Sequence, residues 1–484
     1  MSASALLHKP PSRMSRLVLI PLIVATALFM EHMDSTALAT SLPAIAQDLG
    51  EHPLALKLAL TSYLVSLAVF LPVSGWVADR YGSRTVFAAA IVVFMLGSIL
   101  SAASSALPEF VAARFLQGMG GAMMVPVGRL VLLKSVPKNR LVGALNVLTI
   151  PAMLGPILGP PLGGFITQYF HWRGIFLINI PVSLVGIALV LAYIPNIRES
   201  DVRPLDVRGF VLSGLGLSSL VFGLSALGGH LLSKELTTLF IVVGLFALTA
   251  YWQHSRRATH PLLNLQLLRI ATYRAGVAGG TLFRIGAGAA PFLLPLLFQL
   301  GLGMSPLQSG LLTCASALGA LAIRSLSVML LKRFGFRRVL LANALLSSVG
   351  LAAYGLFTAG TPQEVIVFVL LVTGGVRALQ FTLNGAIAYA DIAREVMSQA
   401  TSLSNVAQRI AQSLGVVIGA YSLELAALFQ GHAEVLIEDF WPAFLVVGLI
   451  SAASVGFFVR LPADAGAEVS GHNQNMRKRG TSPF

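Results

Sequence analysis

The stretch GWVADRYGSRTVF, residues 75–87, decides the fold. It joins two apolar runs, near 54–78 and 84–106, through a short charged turn. Each of its special residues has a physical task there. Gly75 carries no side chain, so two helices can approach closely beside it. Asp79 is an anion at a helix end, able to pair with Arg80 or Arg84 or with the positive N-terminus of another helix. Gly82 permits a tight turn. Further along, LLKRFGFRRVLLAN at 330–343 repeats the order basic, aromatic, Gly, any residue, Arg, but without the aspartate. Two related units, each with this loop after its second helix, would produce the echo.

The surrounding composition says what those helices cross. The 484 residues are 56% hydrophobic and only 11% charged, where soluble domains carry about 25% charged residues. Apolar runs long enough to span a bilayer recur throughout. The reading is an all-α polytopic membrane protein. Spans are expected near 17–45, 54–78, 84–106, 109–133, 140–168, 174–194, 208–228, 236–254, 274–300, 306–331, 338–358, 364–389, 399–428 and 441–460. That makes fourteen, an even number, and puts both termini on one side.

The basic residues test the count. Lys9, Arg13, Arg16, Arg80, Arg84, Lys134, Lys138, Arg140, Arg198, Arg203 and Arg208 fall on the side of the termini. Arg256, Arg257, Arg269, Arg274, Lys332, Arg333, Arg337, Arg338, Arg394, Arg460, Arg477, Lys478 and Arg479 join them. The opposite side holds only Lys57, Arg173 and Lys234. Basic loops stay cytoplasmic, so both termini are expected in the cytoplasm of a bacterial-type inner membrane. The same bias accounts for the formal charge of +14 without a nucleic-acid partner. The tail NMRKRG reads as a solvated segment. The first 16 residues are polar and basic, with no small-residue cleavage site after the first apolar run, so that run is expected to be retained. Cys314, the single cysteine, excludes an intrachain disulfide.

The expected organisation is a cytoplasmic tail at 1–16, a six-helix half at 17–200, an inserted helix pair at 201–260, a second six-helix half at 261–460, and a tail at 461–484. Internal halves of this kind are typical of secondary transporters, whose substrate site lies between them at mid-membrane.

GWVADRYGSRTVF resembles the cytoplasmic loop signature of the major facilitator superfamily, with Ser83 where a basic residue is usual. In the fifth span, GPILGPPLGGF (155–165) matches the signature of the antiporter branches. Gly155, Gly159 and Gly163 stand four apart as a face for close helix contact, while Pro156, Pro160 and Pro161 bend the helix, and Gly164 follows. The resemblance implies that this segment seals the interface between the halves, and that Asp79 meets the start of the span 399–428. In the fourth span, Arg114 resembles the arginine that the superfamily uses in proton coupling. With MDSTALATSLP and HWRGIFLINIPV, the chain is similar over roughly 16–460 to the fourteen-helix drug:proton antiporter group of the EmrB/QacA type. It looks nearest to MdtD-like and HsrA-like members. It departs from the pattern at Ala39, where asparagine is usual, and at Glu31, where a neutral residue is common.

Charges inside apolar runs point to function, because each is costly there. FMEHMDSTALATSLP (29–43) places Glu31, His32 and Asp34 deep in the first span. Asp34 is read as a protonation or substrate-cation site, and Arg114 as the group that balances it. Glu31 lies three residues earlier, on roughly the same helical face. Two close carboxylates do not both ionise easily, so Glu31 is a second candidate for proton coupling. His32 is read as pointing elsewhere, in packing or a helix contact. Candidates for a substrate cavity are Gln117, Asn179, Arg284, Arg377, Gln380, Asn384, Asn405, Gln408 and Arg409, with Gln412 beside them. Arg129 and Arg324 are read as structural.

No Walker loop, HExxH or CxxC is present, so an enzyme is not expected, nor a cofactor or bound metal. The reading is a proton-coupled exporter, an antiporter of the multidrug efflux type, with protons, a small-molecule substrate and the lipid bilayer as partners. Sodium coupling and the oligomeric state stay open, a monomer being sufficient. An excess of intramembrane arginine over acid leaves a second reading, export of an organic anion or a metal–anion chelate. A third is a non-transporting membrane sensor or scaffold.

Overall fold

The computed structural model describes residues 13–136, 141–199, 202, 204–227, 232–432 and 434–470. Both terminal tails beyond these limits, with Lys9 and NMRKRG, and Lys138, Arg140 and Arg203 lie outside the described residues, as do the side chains of Arg13, Arg16, Arg324 and Arg394.

The chain is a bundle of long helices. The first group is α1 (Arg13–Ala37), α2 (Pro53–Tyr81), α3 (Ser83–Ala103), α4 (Leu107–Ser135), α5 (Leu141–Tyr169) and α6 (Gly174–Tyr193). Then come α7 (Val207–Ala226) and α8 (Lys234–Arg257). The last group is α9 (Ala271–Gly301), α10 (Pro306–Ala322), α11 (Arg324–Ala353), α12 (Gln363–Ala388), α13 (Met397–Gln430) and α14 (Ile437–Phe458). Among the described residues, 11 helices are long and apolar enough to cross a membrane.

Local chemistry sets the ends. The first span runs past Ala37 through a 3-10 turn and a further helix, Leu42–Leu49. It stops at Gly50, which adopts φ +67° and closes the helix with its N–H. Ser305 and Gln308 form a reciprocal capping box at α10. The span expected at 306–331 is interrupted at Ile323, and the first arm of α11 completes it. α11 then bends at Gly335, φ +74°, and its second arm is the next pass. Gly335 is the counterpart of Gly82, φ +95°, between α2 and α3. The sequence echo is therefore a backbone echo.

Four apolar clusters hold the bundle. One fills α1–α6 with Val24, Phe87, Phe94 and Met124, and another fills the last helices with Phe336, Leu340 and Leu383. A third joins the two groups, with Leu38, Phe110 and Trp172 on one side and Phe292, Leu296 and Phe444 on the other. A fourth unites α2, α7, α8 and α13 through Val69, Leu217, Tyr251 and Leu403. The inserted pair sits beside α2: Gly214 of α7 faces Val69, and Ser225 donates to Thr61. α8 is peripheral, with only 22% of its apolar window buried. Its Phe246, 75% exposed, suits a lipid neighbour rather than water.

Candidate functional site

α1 carries Asp34 into the centre of the bundle, where it is fully buried. Two neighbouring helices supply its partners, and a third braces them. Arg114 of α4 donates from Nη1 to Oδ2 at 2.6 Å. Gln117, one turn on, donates to Oδ1 at 2.9 Å, and so does Asn179 of α6 at 2.9 Å. Gln117 and Asn179 also donate to Ser98 Oγ of α3, at 2.7 and 3.1 Å. Helical spacing brings Arg114 and Gln117 to one face, three residues apart. The guanidinium stands 4.4 Å above the ring of Tyr63 and 5.6 Å from that of Phe176. Asp34 and Arg114 together are neutral, which is how two charges are tolerated where water is excluded.

Glu31 has a separate set of partners. Tyr63 Oη donates to its Oε1 at 3.3 Å, and Arg409 Nη2 of α13 lies 3.6 Å from the same oxygen. His32 Nδ1 stands 2.9 Å from Oε2, which has no aligned hydrogen-bond donor. The two carboxylates thus do not share one proton-binding pair; each has its own arginine. Tyr63 joins them, its ring under Arg114 and its hydroxyl on Glu31. Sequence reasoning missed Tyr63. The available signal was a phenol within the aliphatic run of α2, since a buried tyrosine hydroxyl seeks a partner.

A cavity of about 580 Å³ opens beside this core, between α1, α4, α5, α9, α10, α12 and α13. Its charged or titratable lining consists of His32, Arg129 and Arg377, with Thr36, Thr40, Thr313, Ser316 and Gln412 as polar groups. Arg377 donates to Ser316 Oγ at 3.4 Å. Among the described residues, no carboxylate belongs to the lining. Ala39 does, so the asparagine missing from the family pattern is missing from the cavity wall.

Several expected cavity residues stand elsewhere. Gln117 and Asn179 are consumed by Asp34. Gln380 is fully buried and accepts from Asn343 at 2.9 Å, and Asn384 is fully buried behind it. Arg284 is also buried, and Asn405, Gln408 and Arg409 lie on α13 outside the lining. Arg377 is the expected residue that reaches the cavity, joined by Gln412. His32 makes the expected helix contact, packing on Gly155 of α5, and it also touches Glu31 and lines the cavity. One further reading needs correction. Arg129 is exposed and lines it as well, since its position on α4 faces the cavity.

The loop motif makes other contacts than its charges suggest. Asp79 pairs with Lys134 at the end of α4, at 3.0 Å, and Lys134 also holds Glu199 at 2.6 Å. Among the described residues, Arg80, Arg84 and the start of α13 do not pair with Asp79. The reason is proximity: the segment after α6 lies along the loop, with Glu199 N–H donating to Asp79 O and Ser83 N–H to Ile197 O. Gly82 faces the Asn196 side chain at the turn. Gly75 is exposed and open on its Cβ side, so it mediates no close helix approach here.

In α5, Gly155, Gly159 and Gly163 face α1 at Phe29–Ala37, with backbone too close for any side chain. This packing lies within the first group of helices. The contact with the second group is made by Gly164, against Pro306 and Leu307, and by Pro160, against Gly310 of α10. Leu307 N–H donates to Gln168 Oε1 at 3.2 Å beside it. At the same end of the bundle Lys57 of α2 pairs with Glu424 of α13 at 2.7 Å.

These elements define a class: a polytopic membrane protein with a cavity between two groups of six helices. The sequence matches the Major Facilitator Superfamily over residues 24–255 and 276–481, and the chain belongs to that family. It is a secondary transporter of small molecules. It is 38% identical over 447 residues to the "Putative multidrug resistance protein MdtD" of Serratia proteamaculans, covering 91% of this chain and 93% of that one. The protein of the same name from Escherichia coli K12 is 38% identical over 454 residues, covering 93% and 95%. Among solved structures, a POT family transporter superposes with a TM-score of 0.67 at 16% identity, over 91% of this chain and 95% of its own. A D-xylose–proton symporter gives 0.66 at 15%, over 93% and 98%. At such identities the likeness is one of fold.

Proposed function

We propose that this chain is a proton-coupled exporter of small molecules with fourteen membrane spans, an antiporter of the drug:proton group. The observation that carries the reading is the buried Asp34 carboxylate, held by Arg114, Gln117 and Asn179. A carboxylate paired this way can take a proton only by giving up its arginine. Protonation then frees Arg114 and loosens α1 from α4 and α6. Deprotonation restores the pair. That exchange is a two-state element, and substrate in the adjoining cavity biases it in the opposite sense. The names of the MdtD relatives support drug efflux as the activity. The halves at 17–200 and 261–460, with the inserted pair at 201–260, rock about the cavity in alternating access. Gly164, Pro160 and Gly310 seal one side of it. The basic bias of the loops supports cytoplasmic termini in a bacterial inner membrane. One charge crossing the membrane supplies about 2.3 kcal/mol per 100 mV, enough to drive export.

The test is flux in proteoliposomes under an imposed pH gradient. Asp34→Asn should abolish gradient-driven export while the protein inserts and folds normally. Full flux in that variant sinks the assignment.

A second reading, export of an organic anion, is favoured by the cavity lining, which offers Arg129, Arg377 and His32 but no carboxylate. Loss of carboxylate flux in Arg129→Gln and Arg377→Gln, with cationic dye flux kept, would select it.

A further inference from the structure

Among the described residues, Arg284 on α9, 4% exposed, is the second buried guanidinium. Arginine stays charged in proteins, and a charge without a partner in a low-dielectric interior is costly. Arg114 is neutralised by Asp34. Among the described residues no carboxylate lies within ion-pair range of Arg284. Tyr389, the titratable side chain that acts on it electrostatically, is a phenol rather than a carboxylate.

The surroundings of Arg284 offer donors rather than acceptors. Its Nε has no hydrogen-bond partner, and neither has Nδ2 of Asn384, one turn from the end of α12. The orientation of that amide is fixed by a relay. Asn343 donates to Gln380 at 2.9 Å, and Gln380 donates to Asn384 Oδ1 at 3.5 Å. The Asn384 oxygen is thereby used and its NH₂ is left over. Arg284 Nη1 and Asn384 Nδ2 meet at Gly280. A Cβ there would lie 2.6 Å from Arg284 Nη1 and 3.4 Å from Asn384 Nδ2. The absent side chain lets the guanidinium and the amide lie together against bare backbone. Phe381, which lines the cavity, has its ring 5.6 Å from the guanidinium.

We propose that Arg284, Asn384 and the bare backbone at Gly280 form a binding site for a compact anion, a carboxylate group or a halide, entered from the cavity past Phe381. An unpaired guanidinium beside an unpartnered amide NH₂ suits one such group and disfavours a cation. The site goes beyond the export reading, since it can be occupied without a gradient and without turnover.

The experiment uses the full-length protein in detergent, at an ionic strength set by a bulky sulfonate. Sodium chloride and sodium benzoate are titrated separately, with the thermal unfolding midpoint and calorimetric heat as readouts. Wild type should show a saturable rise in the midpoint. Gly280→Ala displaces the guanidinium without removing charge and should weaken the apparent affinity at least tenfold. Asn384→Leu should do the same, and Arg284→Gln should abolish the response. Should Arg284→Gln fail to fold, the other two variants decide. A response to chloride alone identifies a free inorganic anion, and benzoate that competes with chloride identifies the carboxylate of a solute; either supports the site. No response to either salt in wild type overturns it, and so does a response that survives Gly280→Ala and Asn384→Leu.

Discussion

Arg409 of α13 reaches Glu31 of α1, Nη2 to Oε1 at 3.6 Å, and ties the last group of helices to the first at the buried centre of the bundle. Such a tie must loosen when the groups rock. Glu31→Gln and Arg409→Gln should each slow gradient-driven flux about tenfold, which is about 1.4 kcal/mol. The double variant should lose less than the two losses combined, because both remove one interaction. Strictly additive losses in the flux assay would separate the two residues.

Tyr63 has two roles that can be split. Tyr63→Phe keeps the ring beneath Arg114 and removes the hydroxyl from Glu31. It should lower stability by about 1.5–3 kcal/mol, the range for a hydrogen bond to a charged group. Tyr63→Leu should cost more, since the ring is lost as well. Thermal unfolding of the two variants gives the order, and equal losses would show that the ring contributes nothing.

Lys57 and Glu424 form an uneven pair, with side chains 2% and 26% exposed. Removing the acid strands a buried cation, whereas removing the base leaves a carboxylate that water can reach. Glu424→Gln is therefore expected to cost about 3–5 kcal/mol and Lys57→Met clearly less. The double variant should recover part of the loss. Thermal unfolding measures all three, and an inverted order would show that solvent reaches Lys57.

Asp206 caps α7, accepting from Gly209 N–H at 2.8 Å, and also binds Leu262 N–H and His254. Burial works to raise its carboxyl, but the Gly209 amide, His254 and the Leu262 amide outweigh it and hold it below the ordinary carboxylate range. A carboxyl lowered in the folded state stabilises fully above its unfolded value, about 3.9, and the stabilisation is lost as pH falls through the folded value. Asp206→Ala should lose about 1–2 kcal/mol at neutral pH. The gap to wild type should close as the pH is lowered below about 4. Unfolding midpoints across that range follow it, and a gap that does not change with pH would exclude the charge.

Gly164 and Gly310 place backbone on backbone between α5 and α10. Gly164→Val and Gly310→Val should prevent this closure and reduce flux to background, with the protein still in the membrane. Cysteine labelling at Gln168 should rise in both variants, and unchanged labelling would show that the contact is not a seal.

The bundle was legible because lipid demands long apolar helices, and the loop motif could be matched to its echo. Gly82 and Gly335 reveal themselves in sequence as the same turn. Asp34 and Arg114 stood out because ionised groups are rare in apolar runs. What stayed hidden depends on which helices become neighbours. Lys57 looked like a loop residue until α13 brought Glu424 against it. Asp79 had two arginines close in sequence, yet the chain after α6 and Lys134 lie closer in space. Asn384 looked like a cavity residue, but α9 packs against it at Gly276 and Gly280. The break at Ile323 carries no Pro or Gly to announce it.

Gly82 and Gly335 hold the same left-handed elbow, φ +95° and +74°, at matching places in the chain. The molecule therefore contains its own control experiment. A substitution at one elbow can be repeated at the other, in the same bilayer and the same assay. One of these elbows is flanked by the Asp79–Lys134–Glu199 bridge, while the aspartate is missing from the other. Any difference between the paired variants would weigh that bridge against the bare turn.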